Sequence, residues 1–163
     1  MIPVLLLAGA VVAFDQLTKA VVLQYLVLGV PVTLIDGLLS LTLVLNPGLA
    51  FGLLGGLPEA WRWVVAALSL VALVVLARVA VRVLPAGGRG GRLAIGLIFG
   101  GAVGNLIDRG RFGAVVDFVD VYWRSWHWPA FNVADSAITI GVVLLALRML
   151  TEPRGQAEES RIV

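Results

Sequence analysis

The chain has 163 residues, of which 60% are hydrophobic and only 13% charged, and its mean hydropathy is +1.02. A charged share about half that of ordinary soluble domains cannot coat a water-facing surface. Soluble globular and disordered classes are therefore excluded, and the chain reads as an integral membrane protein. It has no cysteine and a single histidine, His127. That removes disulfides, thiolate catalysis, haem attachment and cysteine-ligated zinc, and it leaves no histidine-rich metal site. The basic pI of 9.7 arises from a net charge of only +2, which does not suggest a nucleic-acid partner. No cofactor and no metal are expected.

A hydrocarbon core about 30 Å thick needs about 20 helical residues. The first run of that kind is Ile2 to about Tyr25, interrupted only by Asp15 and Lys19. It lacks the basic leader of a cleaved signal peptide and carries an acid and a base inside, so it reads as a true span. Residues 26–60 follow without any Lys or Arg. Within them Val32–Leu34 and Leu39–Leu45 have strand composition, and Asp36-Gly37 between them signals a turn. Asn46-Pro47-Gly48 then breaks the strand before the apolar stretch Leu49–Leu54. This pattern predicts a small β element on the outer membrane surface. A second span covers about residues 61–83, and a short, glycine-rich third one covers 93–107. The segment Phe118–Trp128 is expected as a short interfacial amphipathic helix. A fourth span covers 133–150, and 152–163 form a polar tail. The expected class is thus membrane all-α, four transmembrane helices with a small extracytoplasmic β element and an interfacial helix, in one domain over 1–151.

Arginine placement gives the orientation. Arg78, Arg82, Arg89 and Arg92 flank the loop between spans two and three, opposite the Lys/Arg-free 26–60 segment. The positive-inside rule puts the Arg-rich loop and both termini in the cytoplasm. All five tryptophans (Trp61, Trp63, Trp123, Trp126, Trp128) then fall at the far face, where indole rings favour the headgroup layer.

Polar residues converge on that face. At 1.5 Å per residue, Asp15 lies roughly 20 Å beyond Ile2 and Asn105 about as far above Arg92, while Asp135 lies about 5 Å below the outer start of its span. Ionisable groups inside a bilayer cost about 2.5–3.5 kcal/mol each and are tolerated mainly where they face one another or water. Each has a plain structural reading as well. Asp15 and Lys19, four apart, can neutralise each other. Asn132 can cap span four with Asp135 at N3, and Asp117 can be a solvated loop residue. Gly96, Gly100 and Gly104 form a stripe suited to close helix packing. A Ser–His protease would need His127 beside Ser125 or Ser136, without any G-x-S-x-G elbow. A proton relay through Asp15, Lys19, Asp117 and Asp135, in a small transporter, is the non-hydrolytic alternative.

Four blocks decide between these readings: Asp15-Gln16-Leu17-Thr18-Lys19, Asn46-Pro47-Gly48-Leu49-Ala50-Phe51-Gly52, GGAVGNLIDRGRFGAVVDFVDVYW over Gly100–Trp123, and Phe131-Asn132-Val133-Ala134-Asp135. In content and order they resemble the lipoprotein signal peptidases (signal peptidase II) of bacteria. The resemblance implies an aspartic endopeptidase of the cytoplasmic (inner) membrane with its active site near the extracytoplasmic face. Such an enzyme cuts diacylglyceryl-modified prolipoproteins on the N-terminal side of the lipidated cysteine, and it would act as a monomer within membrane lipid. It also implies that Asp117 and Asp135 are the catalytic pair, that Asn46, Asn105, Arg109 and Asn132 are the polar shell, and that Asp15 and Lys19 brace it. The outer loop departs from the family's N-x-G-A-A-F pattern, with Pro47 after the asparagine and Leu49 in place of the first alanine. Two carboxylates suffice for the reaction if they share one proton: one activates water, the other polarises the carbonyl and protonates the leaving amine.

Overall fold

The computed structural model describes residues 1–48, 61–83 and 88–151. The apolar Leu49–Leu54 stretch, the start of the Arg-rich loop and the tail from Glu152 lie outside the described residues. The elements in order are α1 (Ile2–Tyr25), β1 (Pro31–Ile35), β2 (Leu39–Asn46), α2 (Trp61–Val83), α3 (Gly88–Phe112), β3 (Val115–Trp123), β4 (Trp126–His127) and α4 (Val133–Thr151). Three of the helices, Ile2–Tyr25, Trp61–Arg78 and Gly88–Phe112, are long and apolar enough to cross a membrane. They expose Leu5, Leu6, Phe14, Leu17, Leu70, Val71 and Val75 outward, a surface suited to hydrocarbon and far larger than a water-facing monomer shows. The third helix is longer than its apolar run. Gly88–Arg92 and Asp108–Phe112 extend it at both ends, so that Arg89, Arg92, Arg109 and Arg111 stand on helical backbone.

α3 is the hub, in contact with α1, α2 and α4, and glycine makes that possible. A Cβ on Gly96 would lie 2.9 Å from the Leu7 side chain, one on Gly100 2.8 Å from the Ala8 carbonyl oxygen, and one on Gly104 2.6 Å from Asp15 Oδ2. Three glycines at i, i+4 and i+8 thus form a track for α1. Gly101 and Gly141 do the same for α3 and α4: a Cβ on Gly101 would overlap the Ala134 carbonyl and sit 2.8 Å from Ile138.

The four strands form one antiparallel sheet in the order β1-β2-β3-β4. The β1–β2 hairpin and its Asp36-Gly37 turn match the sequence reading, with Gly37 at φ 72°. The interfacial helix does not. Residues 115–123 are a strand and 126–127 its hairpin partner. VVDFVDVYW is rich in β-branched and aromatic residues, which fit a pleated sheet, and β2 offers it an edge from Leu39↔Val121 to Asn46↔Val115. Gly113, at φ 68°, ends α3 by donating its N–H to the Arg109 carbonyl at 3.0 Å, so the chain turns directly from helix into β3. Val22, Leu43, Val116 and Phe118 form a buried cluster that fastens the C-terminal end of α1 to the sheet.

Gly101→Val should lower unfolding stability by about 1–3 kcal/mol through overpacking, measured by thermal unfolding in detergent. Gly9→Ala, where a Cβ meets nothing within 4 Å, should be neutral or slightly stabilising.

Candidate active site

The site is built around a buried cation. Lys19, on α1, is 2% exposed, and its ammonium lies 2.8 Å from Asp15 Oδ2 and 2.6 Å from Asp108 Oδ2. Its third proton goes to Asn105 Oδ1 at 3.1 Å. An ammonium has three donors, and here all three are used. The two carboxylates bind backbone as well. Asp15 Oδ1 accepts the Ala134 N–H at 2.9 Å, which caps the first turn of α4 from another helix. Asp108 Oδ2 accepts the Val116 N–H at 3.1 Å, and Asp108 Oδ1 accepts from Gln16 at 2.9 Å. One cation thus ties α1 to α3, to β3 and to the start of α4.

Asn105 passes this order on. Its Oδ1 faces a donor-only lysine, so its Nδ2 is forced the other way, where it donates to Asp135 Oδ1 at 2.7 Å. Asn132, fully buried, precedes α4. Its Oδ1 accepts the Asp135 N–H at 2.9 Å, and Asp135 Oδ2 accepts the Asn132 N–H at 3.2 Å, a reciprocal capping box. The Asn132 amide donates to Asp117 Oδ1 at 2.7 Å, with Asn105 Oδ1 and the Val116 carbonyl at 3.2 and 3.3 Å. Asn46, at the end of β2, donates to Asp117 Oδ2 at 3.1 Å and holds the Gly48 N–H through its own Oδ1. Each oxygen of Asp117 and Asp135 therefore receives one fixed donor, and two asparagines connect the two carboxylates.

Both aspartates line a cavity of about 760 Å³. Its polar end carries Asn46, Asn105, Arg109, Asp117, Asp135 and Ser136, and its apolar walls include Leu73 and Leu76 of α2, Ile98 of α3 and Ile138 of α4. Burial, and then the negative charge of Asp135, push the Asp117 carboxyl up from 3.8 to about 7, against the lowering effect of Asn46, Asn132 and Lys19. Arg109 forms no ion pair with either aspartate among the described residues. It donates to the Gly48 carbonyl at 3.1 Å and to the Asn105 carbonyl at 3.4 Å, bracing the residues after Asn46.

The eight residues singled out in the sequence, Asp15, Lys19, Asn46, Asn105, Arg109, Asp117, Asn132 and Asp135, fall in one connected network. Asp108 and Gln16 belong to it and were not assigned. Asp108 lies three residues after Asn105, on the same helix face, which is the signal that marks it. The N-cap reading of Asn132 and Asp135 and the pairing of Asp15 with Lys19 hold together with membership of the site. His127 pairs with Asp120 (Nδ1 to Oδ1, 2.9 Å), and among the described residues no hydrogen bond joins it to Ser125 or Ser136.

Residues 7–151 match the family model of signal peptidase (SPase) II. The chain belongs to the signal peptidase II family. A lipoprotein signal peptidase of Desulforapulum autotrophicum is 48% identical over 152 residues, covering 89% of this chain and 90% of that one. One from Geobacter metallireducens is 45% identical over 146 residues, covering 90% and 89%. The fold is similar to a bacterial membrane enzyme solved by the in meso method at 2.3 Å resolution, with a TM-score of 0.76 at 33% identity over 96% of this chain and 92% of that one.

Membership in the signal peptidase II family makes the enzyme a protease that processes lipoproteins. Asp15, Lys19 and Asp108 form a buried ionic triad beneath its site. Removing the cation leaves two acids uncompensated in a dry interior. Lys19→Met should therefore cost about 3–5 kcal/mol of stability, and adding Asp108→Asn to it should restore part of the loss. Thermal unfolding of the three proteins in one detergent checks both.

Proposed function

We propose that this signal peptidase hydrolyses the peptide bond before a diacylglyceryl-modified cysteine with Asp117 and Asp135 as its catalytic pair. The observation that carries the reading is the common suspension of the two carboxylates from Asn105 and Asn132 at the polar end of an otherwise apolar cavity. Like charges close together in such a site favour a state with one shared proton. The ionised carboxylate takes a proton from water as the water oxygen attacks the scissile carbonyl. The protonated partner hydrogen-bonds the carbonyl oxygen and then gives its proton to the departing amine as the C–N bond breaks. The pair titrates as a unit, so the roles belong to the dyad rather than to a fixed member. Asn105 and Asn132 hold both carboxylates in register, and Arg109 and Asn46 hold the entry beside Asp117. Asp15, Lys19 and Asp108 touch neither carboxylate and act on the dyad through Asn105, through the Ala134 and Val116 backbone and through the charge of Lys19.

The wider arrangement follows from the same chemistry. α4, with 19 residues and an apolar body, serves as the fourth span. The Arg-rich loop and both termini lie in the cytoplasm, and the dyad sits near the extracytoplasmic face of the bacterial inner membrane. There it meets a substrate whose acyl chains lie in the outer leaflet, against the apolar walls of the cavity. Every group the dyad needs comes from one chain, which supports a monomeric enzyme.

Asp117→Asn and Asp135→Asn should each lower kcat by at least about 10²–10⁴-fold on a diacylglyceryl-modified prolipoprotein, with unfolding behaviour retained. Near-normal turnover in either variant overturns the pair. The rate should also fall as pH rises through about 7, where the shared proton leaves Asp117. Stability follows the same sign. A carboxyl raised from 3.8 to about 7 on folding contributes fully below its unfolded value, and the contribution is lost as pH climbs to the folded value. Asp117→Asn should thus gain on wild type in unfolding temperature between pH 5 and pH 8.

A further inference from the structure

Side chains alternate along β3, so Asp117 and Asp120, three residues apart, leave opposite faces of the strand. Asp120 is buried away from the cavity and belongs to a second polar cluster that the hydrolysis does not use. Ser40 Oγ donates to Asp120 Oδ2 at 3.1 Å, with Thr42 Oγ1 at 3.5 Å. His127 Nδ1 lies 2.9 Å from Oδ1 and 3.2 Å from Oδ2 of the same carboxylate. The imidazole is stacked on Tyr122, with ring centroids 5.3 Å apart and planes at 16°. The Tyr122 hydroxyl in turn accepts the Gly37 N–H of the β1–β2 turn at 3.2 Å. The chain's only histidine is thus fastened to two strands and a turn.

What His127 fastens is a wall of the cavity. Beyond it the chain runs antiparallel to β3. Trp128 donates its N–H to the Val121 carbonyl at 2.8 Å, and Phe131 exchanges hydrogen bonds with Val119 at 2.8 and 3.1 Å. Between them Pro129 has no N–H to give. Trp128, Pro129, Ala130 and Phe131 all line the cavity. The downstream end of this strip is set by Asn132 and its four side-chain contacts. The upstream end is held by the two-residue β4 and the Trp128–Val121 bond, a short stretch of backbone pairing to which the His127 side chain adds its contacts with Asp120 and Tyr122.

We propose that His127 is a positioning residue for substrate binding: clamped by Asp120 and Tyr122, it fixes the Trp128–Phe131 wall against β3 and so sets the affinity for the lipid-modified prolipoprotein. The inference rests on the reading of this cavity as the substrate site. Because Asn132 anchors the dyad independently, the clamp governs KM and leaves the chemical step alone.

Steady-state cleavage of a synthetic diacylglyceryl-modified prolipoprotein peptide by the full-length protein in detergent tests it. His127→Phe keeps a ring on Tyr122 and removes the bond to Asp120, while His127→Asn returns an amide donor near the place of Nδ1. His127→Phe should raise KM about three- to tenfold with kcat changed less than about twofold, and His127→Asn should recover part of the loss. Combining His127→Phe with Asp120→Ala should add little to the larger single effect, since both remove one interaction. An unchanged KM in His127→Phe, a loss confined to kcat, or full additivity of the two substitutions overturns the proposal. Wild-type protein that fails to cleave the peptide overturns the substrate reading beneath it, whereas wild-type cleavage with an unaltered His127→Phe overturns the clamp alone.

Discussion

Everything at the polar end of this molecule depends on one ammonium group held in a dry place. Lys19 is 2% exposed, and Asp15, Asp108 and Asn105 accept the three hydrogen bonds of its ammonium. Desolvating three charges is expensive, and an apolar replacement of similar volume could match the stability. What the apolar replacement would lose is direction. A lysine donates and never accepts, so it dictates which end of the Asn105 amide faces Asp135. The same triad reaches the backbone at Ala134 and Val116, the residues next to Asp135 and Asp117 in the chain. The ion cluster therefore acts as a jig for the two carboxylates, at a distance of one residue from each.

The second economy is that capping and chemistry use the same atoms. The start of α4 must satisfy its free N–H groups in a low-dielectric setting. Asn132 caps Asp135, Asp135 caps Asn132, and Asp15 caps Ala134. The bond that satisfies the helix end also fixes one oxygen of Asp135, while Asn132 fixes one oxygen of Asp117. A site assembled this way has little freedom to relax when it takes up a substrate. Adaptation to substrate is left to the apolar walls, Leu73 and Leu76 of α2, Ile98 of α3 and Ile138 of α4.

The parts of the fold legible in the sequence are those governed by single-chain physics. Long apolar runs gave the helices nearly to the residue for α1 and α2, the Asp36-Gly37 turn gave the first hairpin, and the glycine stripe marked the third span for close helix packing without naming its partner. The depth arithmetic brought Asp15, Asn105 and Asp135 to one level, and the motif blocks added Asp117, Asn132, Asn46 and Arg109. The failure at residues 115–123 has a plain cause. Val115–Asp120 is buried on both faces, so it lacks the alternation that marks a strand, and its partner β2 lies about seventy residues upstream. Asp108 escaped for a related reason. Its ion-pair partner Lys19, 2.6 Å away, lies on α1, 89 residues earlier in the chain. Both misses belong to long-range packing, which periodicity does not record.

The central claim is that Asp117 and Asp135 form a unit holding one proton at working pH. Infrared difference spectroscopy of the purified enzyme across a pH titration, with Asp117→Asn and Asp135→Asn as references, tests it most directly. One protonated-carboxyl band should be present at pH 6 in the wild type, should fade as pH passes about 7, the value to which Asp117 is raised, and should be missing or displaced in both variants. If the wild type shows no such band at pH 6, or if the band survives unchanged in either variant, the two aspartates do not share a proton and the dyad account is wrong.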